Sequence, residues 1–249
     1  MDGLRGMTVC VDYDDILALT LHRNMRHLSE CVVVTSHDDE RTAEVVRGVQ
    51  GAQLFQTDAF TRDEAVFNKG LAIEEGFDVL GRSGWILILD ADIVLPEVFK
   101  PGSLDQNVLY GAPRRQLPDG ILDFGGDWSR WKVVNDQPCV GYFQLFHAEA
   151  EVLRSRPWYA IDSPHAGNSD WWFRDKFTKK MLARSVLHIG RRYENWYGRA
   201  MPRLDGTPIP DADQKRLRIG EYFLGEHWGR RTDLQKLALA ANQIKNGIT

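Results

Sequence analysis

The sequence is short of cysteine. Cys10, Cys31 and Cys139 are the only three in 249 residues. They are odd in number and far apart, which speaks against a disulfide framework or a cysteine zinc site and predicts reduced, structural thiols. Long apolar runs are missing as well. The longest, such as Trp85–Leu89, are strand-sized, so no segment is read as spanning a membrane. Met1–Gly6 lacks the apolar stretch of a secretory leader, and the expected location is cytoplasmic. No stretch rich in proline, glycine and serine divides the chain, which predicts a single domain over 1–249. Excess basic charge is also lacking. A formal net charge of -4 and a pI near 6.0 exclude general coating of nucleic acid, though not a local basic patch.

What is present is the composition of a globular protein, 43% hydrophobic and 27% charged, enough for a well-buried core. Strand and helix patterns alternate through the first hundred residues. Met7–Val11 reads as a strand, and 14–28 as a helix with Ile16, Leu17, Leu21, Met25 and Leu28 near one face. Cys31–Thr35 and Ala52–Gln56 read as strands, with a short helix over 39–47 between them. Thr61-Arg62-Asp63-Glu64 has the form of a capping box and predicts a helix running to Glu75. Trp85–Leu89 is apolar on both faces, as a central parallel strand is. Such alternation predicts an α/β sheet with right-handed crossovers, whose ligands sit beyond the carboxyl ends of the strands. The second half differs. It holds seven of the eight tryptophans, and its strand patterns (108–112, 121–124, 140–146, 185–188) lack regular helices between them, which predicts a mixed extension of the same sheet. A helix pattern opens at Thr232.

Three Asp-x-Asp pairs occur: Asp12/Asp14, Asp90/Asp92 and Asp211/Asp213. Only Asp90-Ala91-Asp92 directly follows a strongly apolar central strand, which puts two carboxylates at the ligand-binding edge. Paired carboxylates on a tight turn suit a hard divalent cation that also binds phosphate oxygens, and capping of the following turn is the plainer alternative. His188 ends a later apolar strand, as a cation ligand or a hydrogen-bonded core histidine; His147 and His165 have weaker claims. Asp170 opens a helix pattern, where its plain reading is a helix-terminal charge, and Asp175 is a second carboxylate on the same pattern. Trp158, Trp171, Trp172 and Trp196 offer flat apolar faces for stacking or simply core. Arg184, Arg191, Arg192, Arg199 and Arg203 suit phosphate groups or a solvated basic face.

The run Trp85-Ile86-Leu87-Ile88-Leu89-Asp90-Ala91-Asp92-Ile93-Val94-Leu95-Pro96 resembles the donor-binding segment of GT-A glycosyltransferases, especially the family 2-like group. Phe67-Asn68-Lys69-Gly70-Leu71-Ala72 is similar to that group's helix over the nucleotide, and Val9–Tyr13 and Val32–Ser36 resemble its first two strands. The resemblance covers about residues 7 to 100 and is looser beyond. It implies a GT-A fold with a nucleotide-sugar-binding half over 1–100 and an acceptor-binding half over 101–249. It also implies an enzyme moving a sugar from a nucleotide diphosphate, UDP by preference, with Mn²⁺ or Mg²⁺ as cofactor. Asp90, Asp92 and His188 would hold the metal. Asp12, Tyr13, Asp38, Asp39 and Lys69 would lie along the donor. Asp170 would activate an acceptor hydroxyl with inversion, and Trp171, Trp172, Arg191 and Arg192 would serve acceptor or phosphate. Ser169 departs from the group's pattern, since an acidic residue often precedes the base. The acceptor is left open among a sugar, a lipid-linked glycan, a protein or a modified nucleic-acid base.

Met7–Asp15 also resembles the opening motif of haloacid-dehalogenase-type phosphatases, in which Asp12 would be the nucleophile and Asp14 its partner. Asp15-Ile16 replaces the small or β-branched residues expected there, and no downstream Gly-Asp-Gly-x-x-x-Asp is found. A sugar-nucleotide pyrophosphorylase would need a glycine-rich loop after Val11, which is missing. A silent GT-A scaffold that binds nucleotide or glycan is the non-enzymatic alternative.

Overall fold

A computed structural model describes residues 3–118, 125, 127–134, 138–167, 169–190 and 197–224. The chain divides into two compact units, Met1–Gly190 and Arg191–Thr249.

The first unit begins with strand β1 (Arg5–Val9), helix α1 (Asp14–Asn24), β2 (Glu30–Thr35), α2 (Glu40–Arg47), β3 (Ala52–Gln56), α3 (Lys69–Leu80) and β4 (Trp85–Asp90). It continues through β5 (Ile93–Val94), β6 (Val108–Gly111), β7 (Arg114–Gln116), β8 (Val133–Val134), β9 (Phe143–His147), α4 (Ser169–Arg174), β10 (Thr178–Met181) and β11 (Val186–His188). Seven strands make one sheet in the order β10-β6-β9-β4-β1-β2-β3. β9 runs antiparallel to both neighbours, and the other pairings are parallel. The protein is therefore an α/β protein with a central, mostly parallel sheet, and the later strands extend that sheet as expected. β5, β11, β7 and β8 form a second, four-stranded sheet in that order.

Alternation along the strands sorts the core. Met7, Val9, Val32, Val34, Ile86 and Ile88 pack with Ala72, Ile73 and Phe77 of α3 and with Phe146, Trp158, Tyr159 and Phe173 from the second half. Cys10, just past β1, turns its Sγ to Thr42 of α2 at 3.5 Å. Burying an aliphatic or aromatic side chain of this kind contributes about 1.5–3 kcal/mol, so the aromatic cluster ties both halves of the sheet together.

One element differs from expectation. Thr61–Glu64 does not open the expected helix: only a kinked 3₁₀ turn forms over Arg62–Glu64, Thr61 makes no side-chain capping bond, and Asp63 and Glu64 stand at φ 55 and 63. α3 starts at Lys69, capped by Asn68, whose Oδ1 accepts from the Leu71 amide at 3.0 Å. The reason is tertiary. The amides of Val66 and Phe67 both donate to the Pro164 carbonyl, at 2.9 and 3.2 Å, and hold that segment out of a helix. Arg62 is drawn to Asp58 and to Glu75. The strand expected at 140–146 is Phe143–His147. The expected strand at 121–124 and the helix from Thr232 lie outside the described residues.

In the second unit, α5 (Ala212–Leu224) follows a loop around Arg199. Arg199 is fully buried and donates to the carbonyls of Met201 and Pro202, at 3.1 and 2.8 Å. It serves that loop's backbone.

Candidate active site

The parallel registers Val9↔Val34, Val9↔Asp90 and Thr35↔Gln56 align the carboxyl ends of β1 to β4 on one edge. The antiparallel pairing Leu89↔Phe143 brings the start of β9 to the same edge, where the Asp90 amide donates to the Tyr142 carbonyl at 3.1 Å. Asp12, Tyr13, Asp39, Asp90, Asp92 and Asp170 therefore converge from four separate stretches of chain.

Asp12 sits at φ 63, and its amide donates to Asp39 Oδ2 at 2.8 Å. Asp39 is buried; its oxygens also accept from the Thr42 amide at 3.1 Å and from the hydroxyls of Thr42 and Thr35 at 2.7 and 3.2 Å. It caps α2 and shapes the loop after β1. Tyr13 is buried at the start of α1, whereas Asp38 is exposed.

Beyond β4, Lys69 from the first turn of α3 forms an ion pair with Asp90 Oδ1, both side chains largely buried. Burial alone would lower the Lys69 pKa, but Asp90 beside it, with Asp170 and Asp92, raises it. The following segment is stitched to α1. Thr20 Oγ1 donates to the Ala91 carbonyl at 2.7 Å. Asn24 donates to the Ile93 carbonyl at 2.8 Å and accepts from the Leu95 amide at 2.9 Å. Because β5 pairs with β11, with His188 opposite Ile93, the histidine reaches Asp92. Its Nε2 lies 3.1 Å from Asp92 Oδ2, and its Nδ1 lies 3.0 Å from Gln116 Oε1. Burial pushes the Asp92 carboxyl up, but His188, Arg114 and Lys69 outweigh it and hold it below the usual carboxylate range. Gly190 stands against this pair, and a Cβ there would meet Asp92 Oδ2 at 2.0 Å.

Asp170, near the start of α4, accepts from the Gly141 amide through Oδ2 at 2.7 Å. A Cβ on Gly141 would come within 2.8 Å of the same oxygen, so both glycines are close-approach positions. Burial raises the Asp170 pKa, and Asp90 adds to this; Lys69 and the Gly141 amide offset it only in part. Beneath it, buried Gln144 donates to the Cys139 carbonyl at 2.9 Å and accepts from the Tyr159 hydroxyl.

Asp92 Oδ1 is buried without a hydrogen-bond partner. An orphaned carboxylate oxygen beside an imidazole suits a divalent cation. Among the described residues no three His, Cys, Asp or Glu side chains are gathered as a ligand set. Of the three residues expected at a cation, the fold brings Asp92 and His188 together, while Asp90 is occupied by Lys69.

Of the remaining expected residues, Trp171 is half-buried beneath the Arg174 guanidinium at 3.8 Å. Trp172 is 45% exposed, with Lys176 Nζ 3.6 Å from its ring centroid. His165 is buried and accepts from the Gly167 amide at 3.0 Å. His147 packs edge-on to Trp85, so both histidines have local structural roles. Arg191, Arg192 and Trp196 lie outside the described residues. Gln116, Gly141, Gln144 and Gly190 were not foreseen. A glycine two residues after the candidate ligand His188 was the one local sign available.

No known family profile matches the chain, and no curated protein sequence matches it. Similar solved structures include the inositol-1-phosphate CTP transferase from T. maritima, at TM-score 0.47 and 8% identity, covering 76% of this chain and 90% of that one. Another is 4-diphosphocytidyl-2C-methyl-D-erythritol synthase from Anaerococcus prevotii, at TM-score 0.45 and 12% identity, covering 90% and 99%. A third is mannosyl-3-phosphoglycerate synthase from Rubrobacter xylanophilus, at TM-score 0.45 and 16% identity, covering 76% and 68%. At such identities and scores these likenesses place the chain in no family.

Proposed function

We propose that the chain is a metal-dependent GT-A glycosyltransferase that moves a sugar from a nucleotide diphosphate, UDP by preference, to an acceptor hydroxyl. The observation that carries this reading is Asp92, whose one oxygen is buried without a partner while the other meets His188, at the carboxyl edge of a mostly parallel sheet. Asp92 and His188 would hold Mn²⁺ or Mg²⁺, and donor oxygens and water would complete its coordination. A divalent ion there supplies positive charge against the departing diphosphate.

The chain's own residues supply the rest. Lys69, paired with Asp90, adds a fixed cation beside the leaving group. Asp12, Tyr13 and Asp38 would lie along the donor at the same edge, with Asp39 fixing the loop that carries the first two. Asp170 accepts the proton of the attacking hydroxyl, and its raised pKa makes it a stronger base than a free carboxylate. Attack opposite the leaving group inverts the anomeric centre. Exposed Trp172, two residues after Asp170, offers an apolar face for the acceptor.

Calorimetric titration of UDP and GDP, each with and without Mn²⁺, on wild type and Asp92→Ala tests this. Nucleotide binding that needs Mn²⁺ and disappears in the variant is expected. Failure of folded wild type to bind either nucleotide would sink the proposal, and phosphatase assays on wild type and Asp12→Asn would then take priority.

A further inference from the structure

The Gln116 side chain makes two kinds of contact. Its Nε2 donates to the Gly190 carbonyl at 2.8 Å, with the His188 carbonyl also near at 3.4 Å. Two carbonyl oxygens on that side fix the amide, because the reversed orientation would set oxygen against oxygen. Oε1 is therefore the atom 3.0 Å from His188 Nδ1. An amide oxygen only accepts, so Nδ1 carries a hydrogen. That leaves Nε2 as the ring atom turned to Asp92 Oδ2, 3.1 Å away.

These contacts are not needed to join the strands. β7 and β11 already pair through their backbones, and the Gln116 amide donates to the Lys132 carbonyl at 3.0 Å. The side chain instead holds both neighbours of the carboxylate. One is the ring that faces Asp92, and the other is Gly190, whose missing Cβ gives Asp92 Oδ2 its room. The Ile189 amide, between them, donates to the Asp92 carbonyl at 2.9 Å.

We infer that Gln116 is the positioning residue of this centre: by accepting the Nδ1 hydrogen of His188, it commits the ring to present Nε2 beside Asp92 to a divalent cation. The inference rests on the metal reading above. Partners behind a ligating histidine typically alter metal affinity by about 10- to 100-fold. Leucine at 116 would remove the acceptor, whereas glutamate would keep one facing Nδ1.

Two measurements test it on wild type, Gln116→Leu, Gln116→Glu and His188→Ala. One is Mn²⁺ titration in the presence of UDP, followed by the electron paramagnetic resonance of the free ion. The other is ¹⁵N NMR of the imidazole nitrogens without metal, with near-ultraviolet circular dichroism to confirm the fold. His188→Ala should lose Mn²⁺ binding. Gln116→Leu should weaken it by about 10- to 100-fold and lose the protonated Nδ1 signal, and Gln116→Glu should keep that signal but recover Mn²⁺ binding only in part, because its second oxygen faces the Gly190 carbonyl that the amide had satisfied. Wild-type Mn²⁺ affinity with an unchanged Nδ1 signal in Gln116→Leu would overturn the positioning role. Absence of Mn²⁺ binding in wild type would overturn the metal reading. The nitrogen signal would then decide for or against positioning by itself.

Discussion

A single carboxyl group illustrates how burial sets chemistry here. Asp170 keeps one hydrogen bond from Gly141 yet has a raised pKa, since losing water costs the charged form more than that bond and Lys69 return. Asp170→Asn should lower kcat by about 10²- to 10⁴-fold and leave UDP and Mn²⁺ binding close to wild type by calorimetry. The acid limb of the wild-type kcat profile should lie above the ordinary carboxylate range, with activity rising as pH rises through it. The same shift has a cost in stability. Because the folded state holds this proton more tightly than the unfolded chain, the contribution is fully present below the unfolded carboxylate value. It is lost as pH rises through the folded one. Urea melts across that window should show a shallower fall for Asp170→Asn than for wild type. Equal slopes would mean that the carboxyl titrates normally.

Among the elements, α3 and α1 make separable predictions. Asn68, not Thr61, caps α3. Asn68→Ala should cost about 1 kcal/mol, more where the partly buried bond from its side-chain amide to the Ile161 carbonyl is also lost. Thr61→Ala should stay within about 0.5 kcal/mol. Chemical denaturation of the two variants checks this, and a larger loss at Thr61 would restore the capping box. α1 acts through Asn24, which is buried and satisfies both the Ile93 carbonyl and the Leu95 amide. Asn24→Ala leaves two buried backbone groups unpaired, at about 1–3 kcal/mol each. It should also weaken Mn²⁺-dependent UDP binding, because the loosened segment carries Asp92. Destabilisation without any loss of binding would show that Asp92 is held by β11 alone.

For the molecule as a whole, the three thiols report on packing. Burial raises the Cys10 pKa strongly, Cys31 to about 12 and Cys139 to about 11. Thiolate is the reactive form, so alkylation at pH 8 should be slow at all three in the native protein and fast in urea. Rapid native labelling of Cys10 would contradict the packing of the β1 end against α2. The strand order, the helix on the β1–β2 face and the aromatic cluster of Phe77, Phe146, Trp158 and Phe173 all depend on that same dense packing.

Local pattern alone determined the α/β class, the first four strands to within two residues at either end, and the placing of Asp90 and Asp92 at the carboxyl end of the central strand. These follow from period and burial, which are written along the chain. The resemblance to GT-A enzymes, added to that pattern, singled out His188 and Asp170, without showing which groups each would meet. The tertiary structure decided those meetings. The pairing of β5 with β11 sets His188 against Asp92, β7 brings Gln116 behind the ring, and the start of β9 offers the Gly141 amide to Asp170. Each contact joins residues 29 to 96 positions apart. The same cause moved the start of α3, because Pro164 captured the Val66 and Phe67 amides, which a helix opened at Thr61 would have turned to its own carbonyls. A local pattern carries the preference of its own backbone, and it cannot carry the hydrogen-bond partner that a distant segment delivers.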